Sequence, residues 1–166
     1  MFERGKPETI VWLSLSAAIV VADQLTKLVV QDALGDSGPI VVTSFFQLVL
    51  AFNTGAAFSF LSDQSGWQRH FFMAIAAAAS VFIVLLLRKH REEPLFCLAL
   101  SLILGGAVGN LIDRVLVGAV VDFLYFHIGV YGWPAFNLAD MAISCGAVLL
   151  IWDAFRKKSQ HAQTEI

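Results

Sequence analysis

The chain has 166 residues, of which 58% are hydrophobic and 14% charged, and its formal net charge is -2 at pH 7. Soluble proteins average roughly a quarter charged residues, so this composition, with a mean hydropathy of +0.74, predicts an integral membrane protein. The basic residues form only small groups, which excludes a nucleic-acid partner, because phosphate binding requires a clustered positive field.

Four apolar segments are long enough to cross a hydrocarbon core of about 30 Å. They predict transmembrane helices at about residues 10–30, 70–87, 95–113 and 136–155, in a single membrane-embedded domain over residues 1–166. Arg4 and Lys6 before the first segment are typical of a signal peptide. Because the apolar pattern resumes after Lys27 and no clear cleavage site follows Ala22, we expect this helix to be retained. Residues 157–166 predict a cytoplasmic tail.

A fifth apolar stretch, at about residues 40–60, is rich in β-branched and aromatic residues and contains the turn signal Asn53-Thr54-Gly55. A span here would put most basic residues outside, contrary to the positive-inside tendency. With four spans the bias is correct, and both termini are cytoplasmic. The basic residues then inside are Arg4, Lys6, Arg88, Lys89, Arg91, Arg156, Lys157 and Lys158, and those outside are Arg69 and Arg114. We therefore expect short extracytoplasmic strands, because an open sheet edge cannot face lipid.

Ionisable and amide side chains in the predicted helices fall at one depth. Helix rise places Asp23 about 20 Å, Asn110 about 22 Å and Asp113 about 27 Å from the cytoplasmic ends of their helices. Asp140 lies about 6 Å below the outer boundary by the same rise. A charge at the bilayer centre costs roughly 2.5 to 3.5 kcal/mol on insertion scales, so these groups should face one another or a polar cavity.

Simpler explanations exist for some of these charges. Asp23 and Lys27 have the i,i+4 spacing of an intrahelical ion pair, which is compatible with a supporting role in a site. Asp113 and Arg114 could mark an ordinary helix end at the headgroup level.

Asp122 and Asp140 stand among apolar residues, with no basic neighbour in sequence. A loop aspartate and a helix cap are the simpler alternatives for them. Two carboxylates held close together cannot both ionise easily, so one keeps its proton while the other acts as a base. Such a pair can activate water against a peptide carbonyl and protonate the leaving amine. The sequence therefore predicts an aspartic-protease type of site, with no metal and no cofactor.

Five ordered motifs extend from the first helix to the fourth. They are Asp23-Gln24-Leu25-Thr26-Lys27, Asn53-Thr54-Gly55-Ala56-Ala57-Phe58, Gly109-Asn110-Leu111-Ile112-Asp113-Arg114, Val121-Asp122-Phe123 and Phe136-Asn137-Leu138-Ala139-Asp140. In this order they resemble the bacterial lipoprotein signal peptidases (signal peptidase II).

The resemblance implies an intramembrane aspartyl endopeptidase that cleaves diacylglyceryl-modified prolipoproteins just before the lipidated cysteine. It implies a four-helix body with a small extracytoplasmic β-cradle in the bacterial inner membrane, with the site near the outer face. It also implies inhibition by cyclic peptides of the globomycin type. Asp122 and Asp140 would be the catalytic dyad. The implied supporting or substrate-contacting residues are Asp23, Lys27, Asn53, Gly55, Asn110, Asp113, Arg114, Asn137 and Ala139.

Two other functions remain open at this point. A small transporter could use intramembrane Asp and Lys residues as an ion relay, although no internal repeat is evident and the polar groups share one depth. A noncatalytic membrane subunit could instead use Asp23 and Lys27 to pair with another protein.

Overall fold

The computed structural model describes residues 8–35, 37–54 and 67–164. Within these residues the chain forms four long helices and one small antiparallel sheet. The elements are α1 (Thr9–Leu34), β1 (Ile40–Thr43), β2 (Phe46–Asn53), α2 (Trp67–Lys89), α3 (Pro94–Leu116), β3 (Val120–Ile128), β4 (Tyr131–Gly132) and α4 (Leu138–Thr164). All four helices are long and apolar enough to span a membrane. The predicted fold class, four transmembrane helices with a small β-structure, is confirmed.

Helix α3 lies at the centre of the helical body and contacts α1, α2 and α4. Half of its most apolar 18-residue window is buried, compared with 22% or less in the other three helices. Small residues make this central position possible, because Gly105 and Gly109 have the G-x-x-x-G spacing that suits close packing of helices. A Cβ atom added at Gly105 would lie 2.7 Å from Ile19 Cβ on α1, so only glycine allows the two helices to approach this closely.

The sheet has the strand order β1-β2-β3-β4 and covers one end of the helices. Strands β2 and β3 pair antiparallel with Phe46 opposite Phe126 and Ala51 opposite Asp122. The rings of Phe46 and Phe126 stack at 4.6 Å. This register brings the last residue of β2, Asn53, opposite Val120 at the start of β3, so the polar ends of the two strands meet beside the helices.

Helix α4 begins at Leu138, after the predicted start at about residue 136, and continues through Thr164 into the segment expected to be a tail. The late start has a physical cause. Phe136 pairs with Leu124 of β3: its N–H donates to Leu124 O at 3.1 Å, and its carbonyl accepts the Leu124 N–H at 2.8 Å. Residues that satisfy their backbone in a sheet are not available to start a helix.

A charged cluster joins α4 to the α2–α3 turn at the end of the bundle that is remote from the sheet. Asp153, which is 2% exposed, pairs with Lys157 at 2.7 Å and with Arg156 at 3.1 Å. Lys157 also pairs with Glu93, which in turn contacts His90 at 2.7 Å. Lys157, followed by His90, lowers the pKa of Glu93 below its usual range. The cluster fixes the far end of α4 against the turn.

We expect Asp153→Ala to lower the free energy of unfolding by about 1 to 2 kcal/mol, because its hydrogen bonds to Lys157 and Arg156 are lost. The loss is limited because Lys157 still pairs with Glu93 and is partly exposed to water. Thermal unfolding in detergent measures the loss. The control is Asp32→Ala, which removes an exposed carboxylate on α1. Equal stability of the two variants would show that the cluster contributes nothing.

Candidate active site

The pairing of Phe136 with β3 also brings two carboxylates together. The Phe136 carbonyl accepts hydrogen bonds from the backbone N–H groups of Phe123 at 3.0 Å and of Leu124 at 2.8 Å. Asp122 immediately precedes that pair on β3, and Asp140 stands in the first turn of α4, four residues after Phe136. A strand end and a helix start are thus held side by side by backbone hydrogen bonds.

Asn137 contacts both aspartates. Its Nδ2 donates to Asp122 Oδ1 at 2.7 Å, and its Oδ1 accepts the backbone N–H of Asp140 at 2.9 Å. The backbone N–H of Asn137 in turn donates to Asp140 Oδ2 at 3.3 Å, so the two residues cap the start of α4 reciprocally. Asn137 is fully buried. Asn137 therefore holds both carboxyl groups, that of Asp122 through its side chain and that of Asp140 through its backbone N–H.

Two further amides each hold one member of the pair. Asn53, at the end of β2, donates through Nδ2 to Asp122 Oδ2 at 3.1 Å. Asn110 of α3 donates through Nδ2 to Asp140 Oδ1 at 2.8 Å. Each carboxylate is thus oriented by amide donors from different elements.

The pKa of Asp122 is raised from 3.8 to about 6. Burial of the carboxyl is the main cause, and the negative charge of Asp140 adds to it. Hydrogen bonds from Asn53 and Asn137 and the positive charge of Lys27 oppose the rise. The pair of carboxyls therefore keeps a proton at pH values where an ordinary aspartic acid is ionised.

Asp23, Lys27 and Asp113 form a buried ionic network behind the two carboxylates. Lys27 Nζ lies 2.8 Å from Asp23 Oδ2 and 2.6 Å from Asp113 Oδ2. All three side chains are nearly inaccessible to solvent. Asp113 also accepts the backbone N–H of Val121 at 3.1 Å, which ties α3 to β3. The intrahelical pair of Asp23 and Lys27 is present, but Asp113 is a buried part of the network, unlike an aspartate at a solvated helix end.

Ala139 and Gly109 mark the closest approach of the helices around this network. The backbone N–H of Ala139 donates to Asp23 Oδ1 at 3.0 Å, and Ala139 is 0% exposed. A Cβ atom at Gly109 would lie 2.6 Å from Asp23 Oδ2, so α3 can meet the Asp23 carboxylate only through a glycine.

Arg114 lies one turn after Asn110 on α3 and lines the cavity described below. Its Nη1 donates to the Asn110 carbonyl at 3.3 Å, and its guanidinium lies 5.5 Å from the centre of the Phe72 ring. Gly55, the remaining predicted site residue, falls outside the described residues.

Gln24 is a participant that the sequence did not single out. Its Nε2 donates to Asp113 Oδ1 at 2.9 Å and to the Gly109 carbonyl at 3.2 Å, and it lies 3.3 Å from Asp23 Oδ2. It thereby joins α1 to α3. Its position inside the first motif, between Asp23 and Lys27, was the available signal.

A cavity of about 820 Å³ opens onto both aspartates. Its polar wall contains Asn53, Asn110, Arg114, Asp122 and Asp140. Much of the rest is formed by the segment before α4 and by the first turns of α4. The residues there are Trp133, Pro134, Ala135, Phe136, Met141, Ile143, Ser144 and Cys145. A pair of carboxyls at the wall of such a cavity can meet a peptide bond while apolar surfaces hold the groups beside it.

Comparisons with known proteins give a matching family model, similar curated relatives and a similar solved structure. The family model for signal peptidase (SPase) II matches residues 15–156. The lipoprotein signal peptidase of Janthinobacterium sp. (strain Marseille) is 54% identical over 146 residues, covering 88% of each chain. That of Azoarcus sp. (strain BH72) is 56% identical over 145 residues, covering 87% of this chain and 82% of the relative. A solved bacterial membrane enzyme, determined by the in meso method at 2.3 Å resolution, matches with a TM-score of 0.79 and 30% identity over 90% of each chain.

Proposed function

The chain belongs to the signal peptidase II family, and we propose that it is an aspartyl endopeptidase that cleaves diacylglyceryl-modified prolipoproteins just before the lipidated cysteine. Membership makes it a membrane protease of lipoprotein processing. The observation that carries the finer proposal is the pair Asp122 and Asp140, both held by Asn137 at the wall of one cavity.

The chemistry follows from one proton shared by two carboxyl groups. With one proton on the pair, the ionised carboxyl removes a proton from water as the water attacks the scissile carbonyl carbon. The protonated carboxyl donates a hydrogen bond to the carbonyl oxygen. Collapse of the tetrahedral intermediate breaks the C–N bond, and the leaving amine takes a proton from the pair. The titration belongs to the pair, so the resting proton is assigned to neither residue alone.

The apolar part of the cavity supports a lipidated substrate. Phe52, Trp133, Met141 and Ile143 line it beside the polar wall. The acyl chains of a modified precursor can pack against these side chains, and an unmodified precursor lacks those contacts. Arg114 and Asn110 belong to the polar wall of this cavity, beside which the peptide backbone would lie. We expect cyclic peptide inhibitors of the globomycin type to occupy this same cavity.

The charge distribution supports an active site near the outer face and cytoplasmic termini. Arg156 lies about 24 Å along α4 from Asp140, at about 1.5 Å per residue. The last turn of α2 carries Arg88 and Lys89. Basic residues concentrate on cytoplasmic loops, so the end of the bundle that carries them is the cytoplasmic one. The sheet and the dyad then face the outside of the inner membrane.

Contact of the sheet with membrane lipids is supported by the turn between β3 and β4. Ile128 is 82% exposed, Val130 92% and Tyr131 83%. Consecutive apolar side chains this exposed are typical of surfaces that contact lipid or protein. Because lipid surrounds the protein at the outer interface, we expect these side chains to contact membrane lipid.

The function is tested with the purified protein and two forms of one prolipoprotein, with and without the diacylglyceryl group. We expect cleavage of the modified form only, at the bond before the cysteine, as located by mass spectrometry. Metal chelators should leave the rate unchanged, because the proposed chemistry uses no metal. Thiol reagents too large to enter the cavity, which Cys145 lines, should also leave it unchanged. Absence of cleavage, with substrate quality verified by an independent signal peptidase II, would contradict the proposal. Ion flux in sealed vesicles under the same conditions would favour the transporter.

The rate should depend on pH through the dyad. Because the pKa of Asp122 is about 6, the pair loses its proton as pH rises through that value, and kcat/KM should fall on the alkaline side. Asn53→Ala removes a hydrogen bond that lowers the pKa of Asp122, so the fall should move to higher pH. The measurement is the kcat/KM profile of wild type and variant.

The matched control is Gln47→Ala. It removes an amide from the same strand, but that amide contacts His127 and not a dyad carboxylate. Its profile should coincide with that of the wild type. A shift to lower pH in Asn53→Ala, or equal shifts in both variants, would show that Asn53 does not act on the dyad.

A further inference from the structure

Lys27 makes one contact that ion pairing does not require. Its ammonium lies 2.8 Å from Asp23 Oδ2 and 2.6 Å from Asp113 Oδ2, and it donates to Asn110 Oδ1 at 3.0 Å. An ammonium group has three hydrogens and no acceptor, so these three oxygens account for all of its donors. A pair serving only to neutralise α1 would need Asp23 alone. The third hydrogen reaches across to the site.

That third contact determines the orientation of the Asn110 amide. The two ends of a carboxamide have nearly the same shape but opposite hydrogen-bonding character. Because an ammonium can only donate, the end of Asn110 that faces Lys27 must be the oxygen. The NH2 end is then left for Asp140 Oδ1, at 2.8 Å. In the reverse orientation the amide oxygen would face the carboxylate, and the contact would be repulsive whenever Asp140 is ionised.

The orientation of the Asn110 amide also affects the Asn137 amide, which contacts Asp122. Asn110 Oδ1 also accepts a hydrogen bond from Asn137 Nδ2 at 3.1 Å. That NH2 group is thereby turned toward Asp122 Oδ1, 2.7 Å away, and the oxygen of Asn137 toward the Asp140 N–H, 2.9 Å away. The Lys27 ammonium thus fixes the Asn110 amide. Together with the Val121 carbonyl, which accepts from Asn137 Nδ2 at 3.2 Å, that amide sets the sense of the hydrogen bonds that reach both aspartates. Lys27, Asn110 and Asn137 are all buried, so water does not compete for these contacts.

We infer that Lys27 is a positioning residue of the dyad, which acts by orienting the Asn110 amide and, through it, Asn137, so that each carboxylate receives an N–H donor. The inference rests on the proposed function. Asp23 and Asp113 hold the ammonium in place, Asp23 from its own helix and Asp113 from α3. The network thus links the packing of α1 against α3 to the geometry of the catalytic pair.

The test is a double-mutant cycle with Lys27→Gln and Asn110→Ala. In the wild-type background, Lys27→Gln should lower kcat about 10- to 100-fold, as loss of a residue that orients catalytic groups does, with KM changed less than about threefold. In the Asn110→Ala background, the same change should lower kcat less than about twofold further, because the amide that it orients is absent. Equal losses in both backgrounds would overturn the inference.

A readout without substrate separates this inference from the proposed function. The C=O stretch of protonated carboxyls, followed by infrared titration and assigned to Asp122 by its loss in Asp122→Asn, should have a higher midpoint in Lys27→Gln than in wild type. Loss of the cation and of oriented amide donors both raise the pKa of Asp122. An unchanged midpoint would overturn the inference. A higher midpoint in Lys27→Gln, together with wild-type protein that cleaves no prolipoprotein, would instead contradict the proposed function.

Lys27→Gln leaves two buried carboxylates with less neutralisation, so its folding is checked by thermal unfolding first. A second comparison is made in the Asp113→Asn background. The double variant Lys27→Gln with Asp113→Asn lacks one positive and one negative charge, and its kcat is compared with that of Asp113→Asn alone. The same fall in kcat with KM held is expected. Loss of folded protein in both Lys27 variants would show that Lys27 serves folding alone.

Discussion

Asp140→Asn should lower kcat for prolipoprotein cleavage roughly 10⁴-fold, as removal of a member of a catalytic unit does in other proteases. Asparagine keeps the size of the side chain and can still contact Asn110, but it can neither accept nor release the proton that the reaction moves. Asp122→Asn should cause a loss of similar size. The double variant should be no worse than either single variant, because the pair acts as one unit. Single-turnover cleavage of the modified substrate measures all three.

The matched control is Asp32→Asn, an exposed aspartate on α1, which should keep the wild-type rate. Thermal unfolding must show that the dyad variants are folded. Cleavage by folded Asp140→Asn within about tenfold of wild type would refute the dyad. For a noncatalytic subunit the outcome would differ in kind, because loss of Asp140 would impair assembly with a partner while no form of the isolated chain cleaves substrate.

The architecture was largely predictable because its signals are local. Hydropathy over about 20 residues identifies a span without reference to the rest of the chain. The β-branched stretch at about residues 40–60 likewise predicted strands, and β1 and β2 lie within it. The resemblance to signal peptidase II is confirmed by the family model and by close relatives.

The start of α4 was less predictable because it depends on a distant partner. Phe136 continues an apolar run that suits a helix, but its backbone pairs with Leu124 of β3. The Asn137-x-x-Asp140 spacing of the reciprocal cap was a local signal for the later start, but the pairing with β3 has no local signal. The cavity wall from Trp133 to Phe136 was not foreseen for the same reason, since an irregular segment acquires its position only from the strand on which it lies.

The ionic network also combines a contact that was predictable from local sequence with one that was not. The spacing of Asp23 and Lys27 predicts their pair, which is present at 2.8 Å. The shorter contact, from Lys27 to Asp113, joins residues on different helices and requires α1 and α3 to approach closely. That approach depends on Gly105 and Gly109, which the sequence indicated as packing residues without indicating what they pack against. The assignment of the catalytic dyad itself stays a prediction, which the variants Asp140→Asn and Asp122→Asn test.

Asn137→Ala should lower kcat about 100-fold, the second largest effect that we expect. This side chain donates to the carboxyl of Asp122 and accepts the backbone N–H of Asp140, and it also donates to the Val121 carbonyl at 3.2 Å. Its removal frees Asp122 from its shortest hydrogen bond and uncaps the helix start that carries Asp140. Removing a single preorganised donor from an active site typically costs about 10² to 10³ in kcat. The measurement is kcat and KM for the modified substrate, together with thermal unfolding.

Gln47→Ala again provides the amide control, and its rate should stay within about twofold of wild type. The two asparagines that donate to Asp122, Asn53 and Asn137, should differ in effect. Asn53 donates to Asp122 at the longer distance of 3.1 Å, whereas Asn137 is fully buried and contacts both aspartates. Asn137→Ala must therefore be the more damaging of the two if joint positioning is what matters. A larger loss in Asn53→Ala would mean that the carboxylates are positioned separately, and that the contact between β3 and the start of α4 does not coordinate them.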